Sequence, residues 1–339
     1  MNDQLTEVYA SIDALIDYAL AHLDLDPRNA DWTRNQIFAL FRLDSYPGPK
    51  TTTSAASVSD VVQDIVGSRS QAPYGEKTPD PLLAAFRAAA TTAGLFKPEE
   101  GPAYADTIMG ILSANPADLD DRFLLVEHRD GGMAAMQWFY DYCVANNYVK
   151  RAQLDRNPRF DSHGLTVTIN LAKPEFKNMK KAAAGNAVAG GYPKCTICHE
   201  NEGFAGRDKR TLRTLPVTLG GESWFWQFSP YGYFDQHGIC VNTDHTPMHV
   251  DRDTFGHLLD FVDRFPGYFL GCNAALPRIG GSVLAHDHYQ GGGELLPMHK
   301  AATWAAFTLA DYPDAVVEIL DWPGTAVRVV SKNRQSIID

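Results

Sequence analysis

Apolar residues near the start of the chain recur at helical spacing. Leu5, Val8, Ile12, Leu15, Ile16, Ala19 and Leu23 share one face and predict a helix over residues 4–23. The same period predicts helices over Asp31–Leu43, with Asp31 as its cap, and over Ser57–Val66, Pro81–Thr92, Tyr104–Leu112 and Gly132–Asn146. The Pro- and Gly-rich stretch at Ser45–Lys50 and the segment Gly67–Asp80 read as breaks. Near residue 150 the period changes from that of a helix to that of a strand. His163–Leu171 alternates with β-branched residues and predicts one strand, and Lys173–Lys181 reads as basic surface. Ala182–Gly191 reads as a loop or frayed helix end. Leu212–Leu219, Glu222–Phe228, Gly238–Asn242, Tyr268–Cys272, Ser282–His288, Val316–Leu320 and Ala326–Val330 read as further short strands. Asp251–Arg264 is the clear helix among them, with Asp251 or Asp253 as cap. The pattern therefore predicts an α+β fold: a mainly helical region over residues 1–150, then a largely antiparallel sheet with packed helices over 151–339.

Candidate chemistry concentrates in the second region, at residues 280–293. His286, His288 and Gln290 alternate, so on an extended chain their side chains share a face, and Asp287 and Tyr289 take the other. Glycines bracket the run at Gly280–Gly281 and Gly291–Gly293, where bare backbone can approach an anionic ligand. A neutral imidazole can attack phosphorus and later leave, and a neighbouring amide can donate to a phosphoryl oxygen. Two histidines at this spacing can equally share a metal ion. Cys195 and Cys198 form a C-x-x-C pair, which reads as half of a zinc site, as a redox pair or as two reduced core thiols. As further ligands the sequence offers His199, His237, His245, His249 and His286. Arg207, flanked by Gly203 and Gly206 and followed by Lys209, Arg210 and Arg213, is suited to a phosphate. The aromatic stretch Ser223–Phe234 reads mostly as core, with stacking on a base or sugar as the alternative.

Length and composition narrow the classes. A chain of 339 residues, 45% hydrophobic and 21% charged, has the makeup of a globular protein with a sizeable core. A net charge of −11 argues against a general nucleic-acid surface. There is no long apolar run and no basic or apolar leader, so no membrane span is expected and cytoplasmic location is the default. Five cysteines, an odd number, do not read as a disulfide framework. Classical Gly-rich nucleotide loops are absent from the sequence.

Several ordered motifs together carry a resemblance. Pro193–Arg207, Phe228–Tyr231, Asp244–Met248 and Asn273–Gly292 resemble the second type of galactose-1-phosphate uridylyltransferase. These are the UDP-glucose–hexose-1-phosphate uridylyltransferases of the histidine-triad superfamily. The resemblance runs from about residue 155 to 300. It implies transfer of UMP from UDP-glucose to galactose 1-phosphate through a uridylyl-histidine. His288 would be the nucleophile and Gln290 the donor to a phosphoryl oxygen. Cys195, Cys198, His245 and His286 would hold a structural zinc ion. Asn273, Gly281 and Ser282 would line the nucleotide phosphates or ribose, and Arg207 would meet phosphate charge. The first type of the family has Pro between its histidines and Gly before its glutamine, where this chain has Asp287 and Tyr289. Family members also continue beyond the point where this sequence stops, which leaves a missing C-terminal portion open. The oligomeric state stays open as well, a homodimer being one arrangement. The competing readings are a histidine-triad dinucleotide phosphorylase or hydrolase, and a zinc-stabilised binding protein without catalysis.

Overall fold

A computed structural model describes residues 3–48, 78–172, 191–276 and 283–339 of the chain. The expected helix Ser57–Val66, the basic stretch Lys173–Lys181, and Gly281 and Ser282 lie outside the described residues, as does almost all of Gly67–Asp80 and Ala182–Gly191. The fold is α+β, helical first and then antiparallel sheet. It divides into two compact units, Met1–Arg156 with Glu200–Thr214, and Asn157–His199 with Leu215–Asp339.

The first unit is built from helices α1 (Asp3–His22), α2 (Ala30–Phe41), α3 (Asp80–Thr92), α4 (Gly101–Leu112), α5 (Pro116–Asp130), α6 (Gly132–Ala145) and the single turn α7 (Arg151–Leu154). The apolar face that predicted α1 is buried: Val8, Ile12, Leu15 and Ile16 join Phe86 of α3 and Phe139 of α6 in the core. Two details differ from the sequence reading. Asp31 does not cap α2; the flanking residue is Asn29, and the Asp31 carboxylate pairs with Arg34 one turn on at 2.5 Å. Helix α5 was not expected, because its acidic first half hides a buried stripe of Leu119, Phe123 and Val126. Residues 200–214 are held to this unit by buried polar bonds. Asn146 Nδ2 donates to the Thr211 carbonyl at 2.8 Å, and Arg213 Nε donates to the Ala114 carbonyl at 2.7 Å.

The second unit opens with a hairpin, β1 (Arg159–Ser162) and β2 (Leu165–Thr168), where one strand over His163–Leu171 was expected. His163 and Gly164 turn the chain with φ of 52° and 77°, the two positive values a tight hairpin demands. A five-stranded antiparallel sheet follows, made of β3 (Leu215–Leu219), β4 (Glu222–Phe228), β5 (Gly238–Asn242), β6 (Phe269–Gly271) and β7 (His288–Gly292), in the order β3-β4-β5-β7-β6. The alternation of β4 and β7 sorts their side chains. Trp224, Trp226 and Tyr289 face helix α8 (Arg252–Arg264), where Trp226 meets Phe261 with ring centroids 5.0 Å apart. Phe225 and His288 take the opposite face. Asp251 caps α8 as expected, accepting from the backbone of Asp253 and Thr254. A three-stranded sheet of β8 (Thr303–Leu309), β9 (Tyr312–Leu320) and β10 (Val327–Ser331), then helix α9 (Arg334–Ile338), completes the unit. No helix among the described residues is long and apolar enough to cross a membrane.

Candidate active site and metal centre

The strand expected at Ser282–His288 begins instead at His288 and runs to Gly292. The glycines at its end have a packing reason. A Cβ on Gly291 would lie 2.1 Å from the Phe269 carbonyl oxygen of β6, and one on Gly292 would lie 2.5 Å from the Phe234 ring. Bare backbone at Gly291 and Gly292 is required by close strand contact. His286 therefore precedes the strand, while His288 and Gln290 keep their common face on it.

His286 is brought to the cysteines by a crossing of two loops. Asp287 N–H donates to the Thr246 carbonyl at 2.7 Å, and Met248 N–H to the Leu284 carbonyl at 2.9 Å. This lays the loop after β5, carrying His245, along the approach to β7, and the two imidazole centroids are 4.4 Å apart. Cys195, Cys198, His245 and His286 consequently place their ligand atoms within 4.8 Å of one another. The two Sγ atoms are 3.4 Å apart. Cys195 Sγ is 3.3 Å from His286 Nδ1, and Cys198 Sγ is 3.2 Å from His245 Nδ1 and 3.7 Å from His286 Nδ1.

These residues fit a tetrahedral metal ion. With metal–sulfur bonds of ~2.3 Å and metal–nitrogen bonds of ~2.0–2.1 Å, ligand pairs should lie ~3.3–3.8 Å apart. His286 Nε2 is 2.7 Å from the Asn242 carbonyl oxygen and donates to it, which leaves Nδ1 with its lone pair toward the sulfurs. Burial pushes the Cys195 thiol up to about 12, so a thiolate at this position needs a cation beside it. The donor set is one that takes zinc or a similar soft divalent ion. Of the other candidate histidines, His199 packs edge-on to Phe225, and His249 sits exposed with Nδ1 3.6 Å from an Asp287 oxygen.

His288 stands on the sheet beside this centre and is only 3% exposed. Its Nδ1 lies 2.8 Å from the His286 carbonyl oxygen, an acceptor only, so Nδ1 carries the proton and Nε2 keeps a lone pair. Burial lowers its pKa, opposed by that hydrogen bond, which favours the neutral ring. His286 thus both faces the cysteines with its ring and sets the tautomer of His288 with its backbone. Gln290 Oε1 is 3.2 Å from His237 Nε2. With the imidazole donating, the Gln290 NH₂ group is left as a donor. The sequence had offered His237 only as a metal ligand; nothing local to it signals a partner 53 positions away.

Gln290 lines a cavity of about 550 Å³ together with Asn273, Tyr233, Phe234 and Thr166. Asn273 Nδ2 is buried without a hydrogen-bond partner among the described residues, a donor available to a ligand. Trp224, Phe225, Trp226 and Phe228 of the aromatic stretch are core, as expected, and Tyr233 and Phe234 line the cavity. Arg207 ends a short turn, Ala205–Arg207, in the first unit. The residues gathered in the second unit are the Cys2His2 cluster, His288, Gln290 and Asn273.

Fold and site together define an α+β protein with a metal-competent Cys2His2 centre set beside a buried imidazole on an antiparallel sheet. The chain belongs to the galactose-1-phosphate uridyl transferase family, whose N-terminal-domain model matches residues 67–247. It is 32% identical to a galactose-1-phosphate uridylyltransferase of Halalkalibacterium halodurans over 98% of this chain and 64% of that protein. It is 33% identical to one of Butyrivibrio fibrisolvens over 97% of this chain and 82% of that protein. One of Caldanaerobacter subterraneus subsp. tengcongensis is 36% identical over 77% of this chain and 52% of that protein. The chain thus spans between about half and two thirds of the length of most of these relatives. No solved structure matches it.

Proposed function

We propose that the protein exchanges UMP between UDP-glucose and galactose 1-phosphate, with residues 151–339 as the catalytic region and the mainly helical residues 1–150 preceding it. His288 Nε2 attacks the α-phosphorus of UDP-glucose, an N–P bond forms, and the P–O bond to glucose 1-phosphate breaks. A phosphate oxygen of galactose 1-phosphate then displaces the imidazole, giving UDP-galactose and restoring the neutral ring. The Nδ1–H bond to the His286 carbonyl holds the ring in one tautomer throughout and stabilises the positive charge it gains on uridylylation. Gln290, turned by His237, offers its NH₂ to a phosphoryl oxygen as charge develops there. Asn273 supplies a further donor in the same cavity, and Gly281, Ser282 and Arg207 are assigned to the nucleotide and phosphate by family resemblance. Zinc held by Cys195, Cys198, His245 and His286 has a structural role, fixing the segment that leads into β7; it takes no part in the transfer. The reaction is placed in the cytoplasm.

The observation that supports this reading most is a buried, neutral imidazole with its proton committed to a carbonyl and its other nitrogen free, next to an oriented amide. The test is to mix the protein with UDP-glucose labelled in its α-phosphate. The expected result is acid-labile label on His288 that is discharged by galactose 1-phosphate and absent from His288→Ala. Label that persists in that variant, or that another nucleotide leaves where UDP-glucose leaves none, would overturn it; the second outcome points to a dinucleotide phosphorylase or hydrolase.

A further inference from the structure

The helical unit contains a second cavity, of about 1030 Å³, framed by α1, α2, the start of α5, and α6. Its rim is polar and exposed, and its floor includes three buried residues that matter here, Arg213, Tyr142 and Leu119. Arg213 is 5% exposed, and among the described residues no carboxylate lies within ion-pair distance of it; the Glu202 carboxylate is engaged next door, by the backbone N–H and hydroxyl of Thr214. Its Nε donates to the Ala114 carbonyl at 2.7 Å, and its Nη1 donates to the carbonyls of Leu212 at 2.8 Å and Arg210 at 3.2 Å. Its Nη2 has no partner among the described residues. A guanidinium tied to neutral carbonyls keeps its full positive charge, and its free Nη2 edge is available to an anion in the cavity.

Two neighbours point the same way. Tyr142 is 3% exposed, and its hydroxyl oxygen accepts from Ala114 N–H at 2.7 Å, which leaves its proton to donate; no acceptor for it lies among the described residues. Helix α5 begins one residue on, with Asn115 as a cap residue whose side chain makes no cap bond. The positive end of the α5 dipole therefore faces the cavity beside the guanidinium. The cavity is not uniformly cationic: Asp24, Asp26 and Asp118 stand at its rim. Asp26 is held by Arg28, Asp24 lies 3.7 Å from Arg122, and Asp118 stands in the first turn of α5, so the anion's head is carried by Arg213 and Tyr142 more than by the helix end.

We propose that this cavity binds a small organic anion, a carboxylate or a phosphate monoester, with its head on Arg213 Nη2, the Tyr142 hydroxyl and the first turn of α5. Trp138, which lines the cavity 5.9 Å from the Tyr142 ring, offers a face to the ligand's body. This site lies wholly in the helical unit and does not depend on the proposed transfer. It stands or falls whether or not His288 takes a label.

The test is calorimetric titration of the whole protein with inorganic phosphate and with benzoate, so that the two head-group chemistries are told apart. Saturable binding of at least one in the millimolar range or tighter is expected. Arg213→Met should abolish it. Because that change sits in the interior, Asn115→Asp is the second variant: aspartate is as good a cap, so the fold should hold, while its carboxylate competes with the anion. Affinity should fall roughly tenfold or more in this variant. Uridylyl labelling of His288 should be unaffected in it. Absence of saturable binding for both probes, or binding unchanged by Asn115→Asp, would sink the proposal.

Discussion

Asp120 on α5 shows how one buried carboxyl sets a pH dependence. Burial, then the charges of Glu202 and Asp121, raise its pKa from 3.8 to about 6, and its Oδ1 has no hydrogen-bond partner. A carboxyl whose folded pKa is raised binds its proton more tightly in the folded state. Its favourable contribution is therefore fully present below 3.8 and is lost as pH rises through about 6. Asp120→Asn should raise the melting temperature at pH 8 and change it little at pH 3.5, and melts of both proteins at the two pH values check it; equal shifts would contradict it. At this scale the sequence exposed what depends on local spacing. The C-x-x-C pair and the alternation of His288 with Gln290 were legible because their partners lie two or three positions away. The choice of His245 over His199, His237 and His249 was not, since it depends on the hydrogen-bonded crossing of residues 244–248 with 283–287. Family resemblance carried that assignment, and the geometry now gives its physical reason. Arg213 read as one of a basic group, and only the fold buries it in a cavity with its guanidinium bonded to backbone carbonyls.

Elements were most readable where one face is apolar and both ends carry a signal. Helix α8 has its Asp251 cap and its stripe, and β4 and β5 appear with the ends that alternation gave them. Helix α5 was hidden by its acidic surface, and β1 was missed because the expected strand began at His163, which occupies a turn position that usually advertises itself by Asn or Asp. The end of β7 was placed short, at His288 instead of Gly292, because Gly291–Gly293 resembles a turn. In the folded chain, Gly291 pairs with Gly238 and Leu270 of its neighbours and leaves no room for a Cβ against the Phe269 carbonyl. Gly291→Ala should therefore push β6 from β7. A loss of about 1–3 kcal/mol is expected from overpacking against backbone that cannot rotate aside. Asp251→Ala, which removes the α8 cap, should cost about 1 kcal/mol and leave the site intact. Denaturant melts with labelling assays separate the two, since only Gly291→Ala is expected to reduce uridylyl transfer as well as stability.

Across the whole molecule, the Cys2His2 cluster ties together three stretches distant in sequence: Cys195–Cys198, the loop after β5, and the approach to β7. All three belong to the second unit, and none to the helical one. The helical unit has its own core of Val8, Ile12, Phe86 and Phe139, so its stability should not depend on a metal. Binding of an ion by ligands that are dispersed in the unfolded chain adds directly to folding free energy. Treatment with a chelator should therefore raise amide hydrogen exchange in β5, in β7 and around Cys195–Cys198, and leave α1, α3 and α6 protected. The variant Cys195→Ala should reproduce that pattern and lose zinc in a metal assay. Wild-type zinc stoichiometry in this variant would contradict the assignment of the ligands. Exchange that rises equally in α1 and β7 would contradict the separation of the two cores.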